Sequence, residues 1–315
     1  MPQAVRRFLT MNNLLRTGLL IAALTALFMG AGWLIGGAEG MLIALVIGAA
    51  TNLFAYWNAD RVVLAAYGAR PIARAEAPQL FDDIAKLAQR AGIPMPRLYL
   101  IDSAQPNAFA TGRDPAHAAV AVTRGLLGAL DEAEVAAVIG HELSHVVHRD
   151  TLTMTIAATI AGAIGMLANF AFFLGPRDDE RDAPLGMFGA LLVAMLAPVA
   201  ALLVQMAISR TREYEADRRG AEISGDPQSL ASALRKIEVL ARRTMVPDAE
   251  RNPATAHLFI VNPLHGASLS SLFATHPATE ERVRRLEAMA AARGLGGGGP
   301  WGTAPRGPWG ARRTA

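Results

Sequence analysis

His141-Glu142-Leu143-Ser144-His145 is an H-E-x-x-H run, the densest chemistry in the chain. On a helix its two imidazoles, four residues apart, share one face and can point at a single ion. Neutral imidazole is a good zinc ligand, and Glu142 beside the pair can reach a water on the metal. Three of the seven histidines, His141, His145 and His148, fall in this stretch. A catalytic zinc needs a third protein ligand and one open position. No Cys is present, which removes thiolate ligands, disulfides and cysteine nucleophiles together. His148 lies two turns beyond His141, too far along the helix to close a tetrahedron with the other two. A later run, Arg212-Glu213-Tyr214-Glu215-Ala216-Asp217, brings carboxylates four apart, so Glu213 and Asp217 share a helical face. One can bind metal while the other accepts the free N–H of a ligand histidine. Spacing alone leaves the two roles open, and it equally fits a solvated helix whose Glu213 or Glu215 pairs with Arg.

These groups need elements to carry them. Asp131 and Glu134 form a capping-box pattern, which predicts a helix from Asp131 through His148. Upstream, the apolar spacing of Leu80, Ile84, Leu87 and Ala88 predicts an amphipathic helix over Pro78–Ala91. Arg97–Asp102 and Ala119–Thr123 read as strands. Between them Asn107-Ala108-Phe109-Ala110-Thr111-Gly112 fits an edge strand or a loop. Ser209–Ser224 reads as the helix of the second carboxylate pair. Pro227–Arg243 follows with Asp226 as its cap and Pro227 in its first turn. Residues 252–266 read as irregular, and Thr279–Arg293 as a last amphipathic, highly charged helix. From Gly294 the chain is a Gly- and Pro-rich tail expected to be disordered.

The composition places all this beside a membrane. Of 315 residues 52% are hydrophobic and only 18% charged, and mean hydropathy is +0.27. Such a chain is neither disordered nor a wrapper of nucleic acid, and a formal net charge of +3 is too small to imply a nucleic-acid partner. Four stretches, 17–38, 40–59, 151–176 and 183–209, contain no charged residue, and each is long enough to cross a hydrocarbon core. The first two, separated only by Glu39, read as a helical hairpin rather than a signal peptide. Arg6, Arg7 and Arg16 precede the first span, Arg61, Arg70 and Arg74 follow the second, and Arg210, Arg212, Arg218 and Arg219 follow the fourth. The positive-inside rule then puts both termini and all long polar segments in the cytoplasm. The preference for Arg over Lys and the high Ala content fit a GC-rich bacterium. Small residues in the spans can support helix packing and homo-oligomers.

With its two apolar spans between the H-E-x-x-H run and Arg212–Asp217, the chain resembles the HtpX membrane metalloproteases, gluzincins related to the CAAX prenyl endopeptidases. Pro106-Asn107-Ala108-Phe109-Ala110, His257–Leu264 and Thr275-His276-Pro277 also fit, and the likeness runs over about residues 10–290. The resemblance implies a mainly α, polytopic bacterial inner-membrane protein with four transmembrane helices and a cytoplasmic zincin-like domain containing a small β-sheet. It divides the chain into a first hairpin (1–60), a first protease part (61–150), a second hairpin (151–209), a second protease part (210–293) and the tail (294–315). It makes His141, His145 and Glu213 ligands of one Zn2+ per chain, Glu142 the general base and Asp217 a supporting carboxylate. His276 is implied beside the oxyanion, and Asn107, Ala108 and Phe109 as an edge that pairs with extended substrate. Implied substrates are misfolded or damaged membrane proteins, or unfolded polypeptide, cut on the cytoplasmic side. Two other readings use the same residues: a site-2-type intramembrane protease, and a non-catalytic membrane scaffold with a zinc site. The charges on the H-E-x-x-H helix, Asp131, Glu132, Glu134, Arg149 and Asp150, favour a cytosolic helix over an intramembrane one.

Overall fold

The structure, a computed structural model, describes residues 3–154, 156, 210–241, 259–261 and 277–294. All but the first few residues of the expected span 151–176, the whole of 183–209, most of 252–266, His276 and the tail beyond Gly294 lie outside the described residues.

Helix α1 (Gln3–Ala66) contains both N-terminal apolar stretches. Its helical geometry breaks only at Gly36 and Gly37, the latter at φ 61° and ψ −141°, a conformation suited to glycine. The turn thus falls at Gly36–Gly37 rather than at Glu39, because backbone freedom and not charge decides where the helix can reverse. Past it the halves fold back together: Asn52 Nδ2 donates to Thr25 Oγ1 at 2.8 Å. A Cβ on Gly32 would stand 2.4 Å from the Gly40 carbonyl oxygen, so the crossing needs glycine. Within this helix Gly36–Asn58 is long and apolar enough to cross a membrane, and it is the one such segment among the described residues.

The remaining elements form a helical domain around a small mixed sheet. Strands β1 (Arg70–Pro71), β2 (Arg97–Ile101), β3 (Ala108–Thr111) and β4 (Ala119–Thr123) take the order β1-β2-β4-β3. The β2–β4 pair is parallel, and β1–β2 and β3–β4 are antiparallel. The stretch that fitted either edge strand or loop is therefore the edge strand. Side chains alternate between two cores, as a pleated strand requires. Leu98, Leu100, Ala108, Ala110, Val120 and Val122 face the main core with α2 (Pro78–Ala91) and α4 (Glu132–His148). Ile101, Phe109, Ala119 and Ala121 face the other side, covered by Val63 and Leu64 of α1.

A short helix, α3 (Arg124–Ala129), joins β4 to α4 and was not among the expected elements. The Thr123 hydroxyl caps it by accepting from Leu126 N–H. Beyond residue 209 come α5 (Arg210–Ser224), α6 (Pro227–Ala241) and α7 (Thr279–Ala292), which match the expected helices. Asp226 caps α6, accepting from Ser229 N–H at 3.0 Å. The fold is mainly helical with a small sheet, as expected.

Candidate metal centre

Helix α4 is fixed at its start by the capping box: Asp131 accepts from Glu134 N–H, and Glu134 accepts from Asp131 N–H, both at 2.9 Å. Glu134 is also tied to α6 through Ser232 and Lys236. At its other end Arg149 adopts a left-handed conformation (φ 59°) and closes the last turn onto the His145 and Val146 carbonyls. From Glu134 to Val146 every residue of α4 is buried. Helix α5 crosses α4 where both carry glycine. A Cβ on Gly220 would meet the His141 N and Cα at 2.6 Å, and one on Gly140 would meet the Gly220 carbonyl oxygen at 2.8 Å. Glu213, Asp217 and Gly220 follow helical spacing, so one face of α5 carries the close contact and both carboxylates.

That crossing brings His141, His145 and Glu213 together, all buried, with one donor atom from each within 4.8 Å of the others. His141 Nε2 and His145 Nε2 are 3.3 Å apart, and each lies 3.7 Å from a Glu213 carboxylate oxygen. Two nitrogens bound tetrahedrally to zinc at 2.0–2.1 Å would be about 3.3 Å apart. The donor set therefore fits a metal ion of that kind. His148 stands outside the cluster, its Nδ1 3.2 Å from Ser144 Oγ.

Each histidine is oriented from behind by a carboxylate. His141 Nδ1 stands 3.0 Å from Asp217 Oδ1, and His145 Nδ1 lies 3.3 Å from Asp150 Oδ2. Such partners fix the ring and leave Nε2 for the metal. The carboxylates are in turn held by arginine. Arg282 of α7 donates to both oxygens of Asp217, at 2.8 and 2.7 Å, and Arg212 lies 3.4 Å from Asp150. Burial pushes Asp217 upward, but the Arg282 charge and its hydrogen bonds prevail and hold the carboxyl at about 2. Burial likewise opposes charge on His145, yet the Asp150 hydrogen bond and the Glu213 charge raise it to about 9.

Glu142 points toward the sheet, where its Oε2 accepts the Ala110 N–H at 2.9 Å. Burial raises its pKa, against the lowering effect of His141 and His145. The Asn107 carbonyl accepts from Thr123 N–H and its N–H donates to Thr123 Oγ1, so by antiparallel alternation Asn107, Phe109 and Thr111 bond toward β4. Ala108 and Ala110 turn their main-chain groups outward, toward Glu142. Asn107 Oδ1 accepts from Ile260 N–H at 3.2 Å, and Arg282 donates to the Ile260 carbonyl at 2.8 Å. Asn107, Ala108 and Phe109 are all buried.

The structure thus gathers His141, Glu142, His145, Glu213 and Asp217 in one place, with the Asn107–Phe109 strand alongside. Sequence reasoning missed Asp150, Arg282 and the two glycines. Asp150 had a signal, a carboxylate just past the helix that carries the ligands. Arg282 had none, being one of several arginines on a charged helix.

A sequence model of peptidase family M48 matches residues 74–290. A relative from Acidiphilium cryptum (strain JF-5), a protease HtpX homolog, is 60% identical over 280 residues, covering 89% of this chain and 98% of its own length. Among solved structures, the crystal structure of S. mikatae Ste24p is similar with a TM-score of 0.47 and 18% identity, covering 89% of this chain and 66% of that one. With the H-E-x-x-H helix and its facing carboxylate in place, the match over most of the folded domain shows that the chain belongs to peptidase family M48, a family of metalloproteases.

Proposed function

We propose that the chain is a zinc-dependent integral-membrane endopeptidase that hydrolyses peptide bonds of misfolded or damaged membrane proteins on the cytoplasmic side of a bacterial inner membrane. The observation that carries it is the buried His141–His145–Glu213 donor set with Glu142 beside it. Supporting the membrane setting are the apolar Gly36–Asn58 helix and the four uncharged stretches 17–38, 40–59, 151–176 and 183–209. The protease domain is assembled from 61–150 and 210–293.

His141, His145 and Glu213 would hold the zinc, with Asp217 and Asp150 setting the two rings. When bound, zinc would supply Lewis acidity that lowers the pKa of water to about 7. Glu142 takes the proton of the attacking water and returns it to the leaving amine. The Ala110 N–H keeps that carboxylate aimed into the cleft, and burial raises its affinity for a proton, which favours the first half of its task. The outward main-chain groups of Ala108 and the Ala110 carbonyl, the Ala110 N–H being taken by Glu142, hold an extended substrate by strand addition. His276 is proposed at the oxyanion. No side chain attacks, so no acyl-enzyme forms.

The test is zinc content and casein cleavage of detergent-purified protein, prepared metal-free and then given zinc. Glu142→Gln should bind one zinc and cleave nothing. His141→Ala, His145→Ala and Glu213→Ala should lose the metal. A fully active Glu142→Gln would remove the base assignment, and stoichiometric zinc in Glu213→Ala would remove the third ligand.

A further inference from the structure

We infer that the metal centre is held roughly 10–15 Å above the bilayer surface, and that it cuts membrane-anchored chains within a few residues of where they leave the lipid. The inference rests on the membrane-peptidase reading above and names the substrate geometry of that site.

Helix α1 does not stop where its apolar segment stops. It continues unbroken from Gly36–Asn58 to Ala66, and this extension is docked on the sheet at successive heights. Lowest is Trp57, half exposed and edge-on to exposed Tyr56. Aromatic pairs of this kind sit at the membrane–water interface. The Arg113 guanidinium lies over the Trp57 ring at 4.8 Å. Next, Asp60 pairs with Arg97 at 2.6 Å. Val63 and Leu64 then bury against Phe109, Ala119 and Ala121, and Tyr67 ends 5.5 Å from the Phe109 ring. Arg97, Ala119 and Thr111 lie at one end of the sheet, so that end faces the bilayer.

Two rulers give the height of the site. Along the edge strand, Ala110, whose N–H meets Glu142, is separated from Arg113 by at most about 10 Å, since the chain leaves the strand at Gly112. Along the helix, Trp57 to Ala66 rises roughly 14 Å. On the other side of the centre the uncharged stretch 151–176 begins directly after Asp150, and its first residues, Thr151, Leu152 and Thr153, are still buried in the domain. Strand β3 also supplies a path. Its Thr111 end turns through Gly112 and Arg113 to the Trp57 level. A chain emerging beside that tryptophan can add to the outer edge of β3 and reach Glu142 after about three or four extended residues.

The experiment uses the wild-type full chain in proteoliposomes with a single-span anchor followed by a tail of identical casein-derived repeats. The same tail is supplied separately as a free peptide. First cuts are mapped at early times by mass spectrometry. The free tail should be cut evenly along its repeats, and the anchored tail first within about three to eight residues of the span. First cuts spread evenly along the anchored tail, beginning about 15 residues or more from the lipid, or falling inside the span overturn the inference while leaving the peptidase reading in place. If zinc-loaded protein cuts neither tail, the peptidase reading fails and the inference with it.

Discussion

Asp150 and Asp217 occupy equivalent places behind the two histidines, yet their surroundings make them unequal. Asp217 is chelated by Arg282, a fully buried guanidinium that also holds the Ile260 carbonyl. Asp150 faces Arg212, which lies farther away and is less enclosed. Removing either carboxylate's charge should weaken zinc binding by about 10–100-fold, the usual effect of losing a histidine's orienting partner. Only Asp217→Asn should also damage the fold, by about 3–5 kcal/mol, because it strands a buried cation. Zinc titration against a competing chelator, run beside thermal melts, separates the two effects. Equal melting losses in Asp150→Asn and Asp217→Asn would contradict this account. The sequence pointed to Asp217 through its four-residue spacing from Glu213. It could not point to Arg282, because nothing local distinguishes an arginine that turns inward from its neighbours on α7 that turn out.

Helix boundaries were legible because they are written locally. Asp131 with Glu134, Asp226 before Pro227, and the apolar spacing of α2 each encode a start or a face, and the structure places them as read. The edge strand was half legible, since Asn107–Gly112 lacks polar alternation; both of its faces are buried, between α4 and the end of α1. What could not be read was the distance between α4 and α5, on which the metal site depends. That distance is set by Gly140 against Gly220, residues from opposite sides of the 151–209 segment. Gly220→Ala would put a methyl 2.6 Å from the His141 backbone, which cannot swing aside as a side chain can. The helices must separate, costing about 1–3 kcal/mol, and Glu213 moves away from both imidazoles. Zinc affinity should therefore fall together with stability. Gly128→Ala in α3 is the control, since a Cβ there meets nothing within 4 Å; it should keep full zinc affinity and gain about 0.5–1 kcal/mol from helix propensity. Full zinc affinity in Gly220→Ala would show that the crossing does not position the ligands.

On the scale of the whole molecule the metal is a cross-link. His141 and His145 come from the part of the domain before residue 151, and Glu213 from the part after 209, so an ion on all three ties together segments that the chain joins only through 151–209. An ion that binds the native state alone stabilises it by about 4 kcal/mol when its free concentration is a thousand times its dissociation constant. For a folded unit of this size that corresponds to roughly 8–16 °C in melting temperature. Glu142→Gln is the form in which to measure it, because it keeps the ligands while removing self-cleavage from the record. Chelation should lower its melting temperature by that amount and added zinc should restore it. His145→Ala should melt low and ignore both treatments. If stoichiometric zinc leaves Glu142→Gln without moving the melt, the site binds metal without joining the two parts. The two parts would then have to be held by the Gly140–Gly220 crossing and the Glu134 ties to α6.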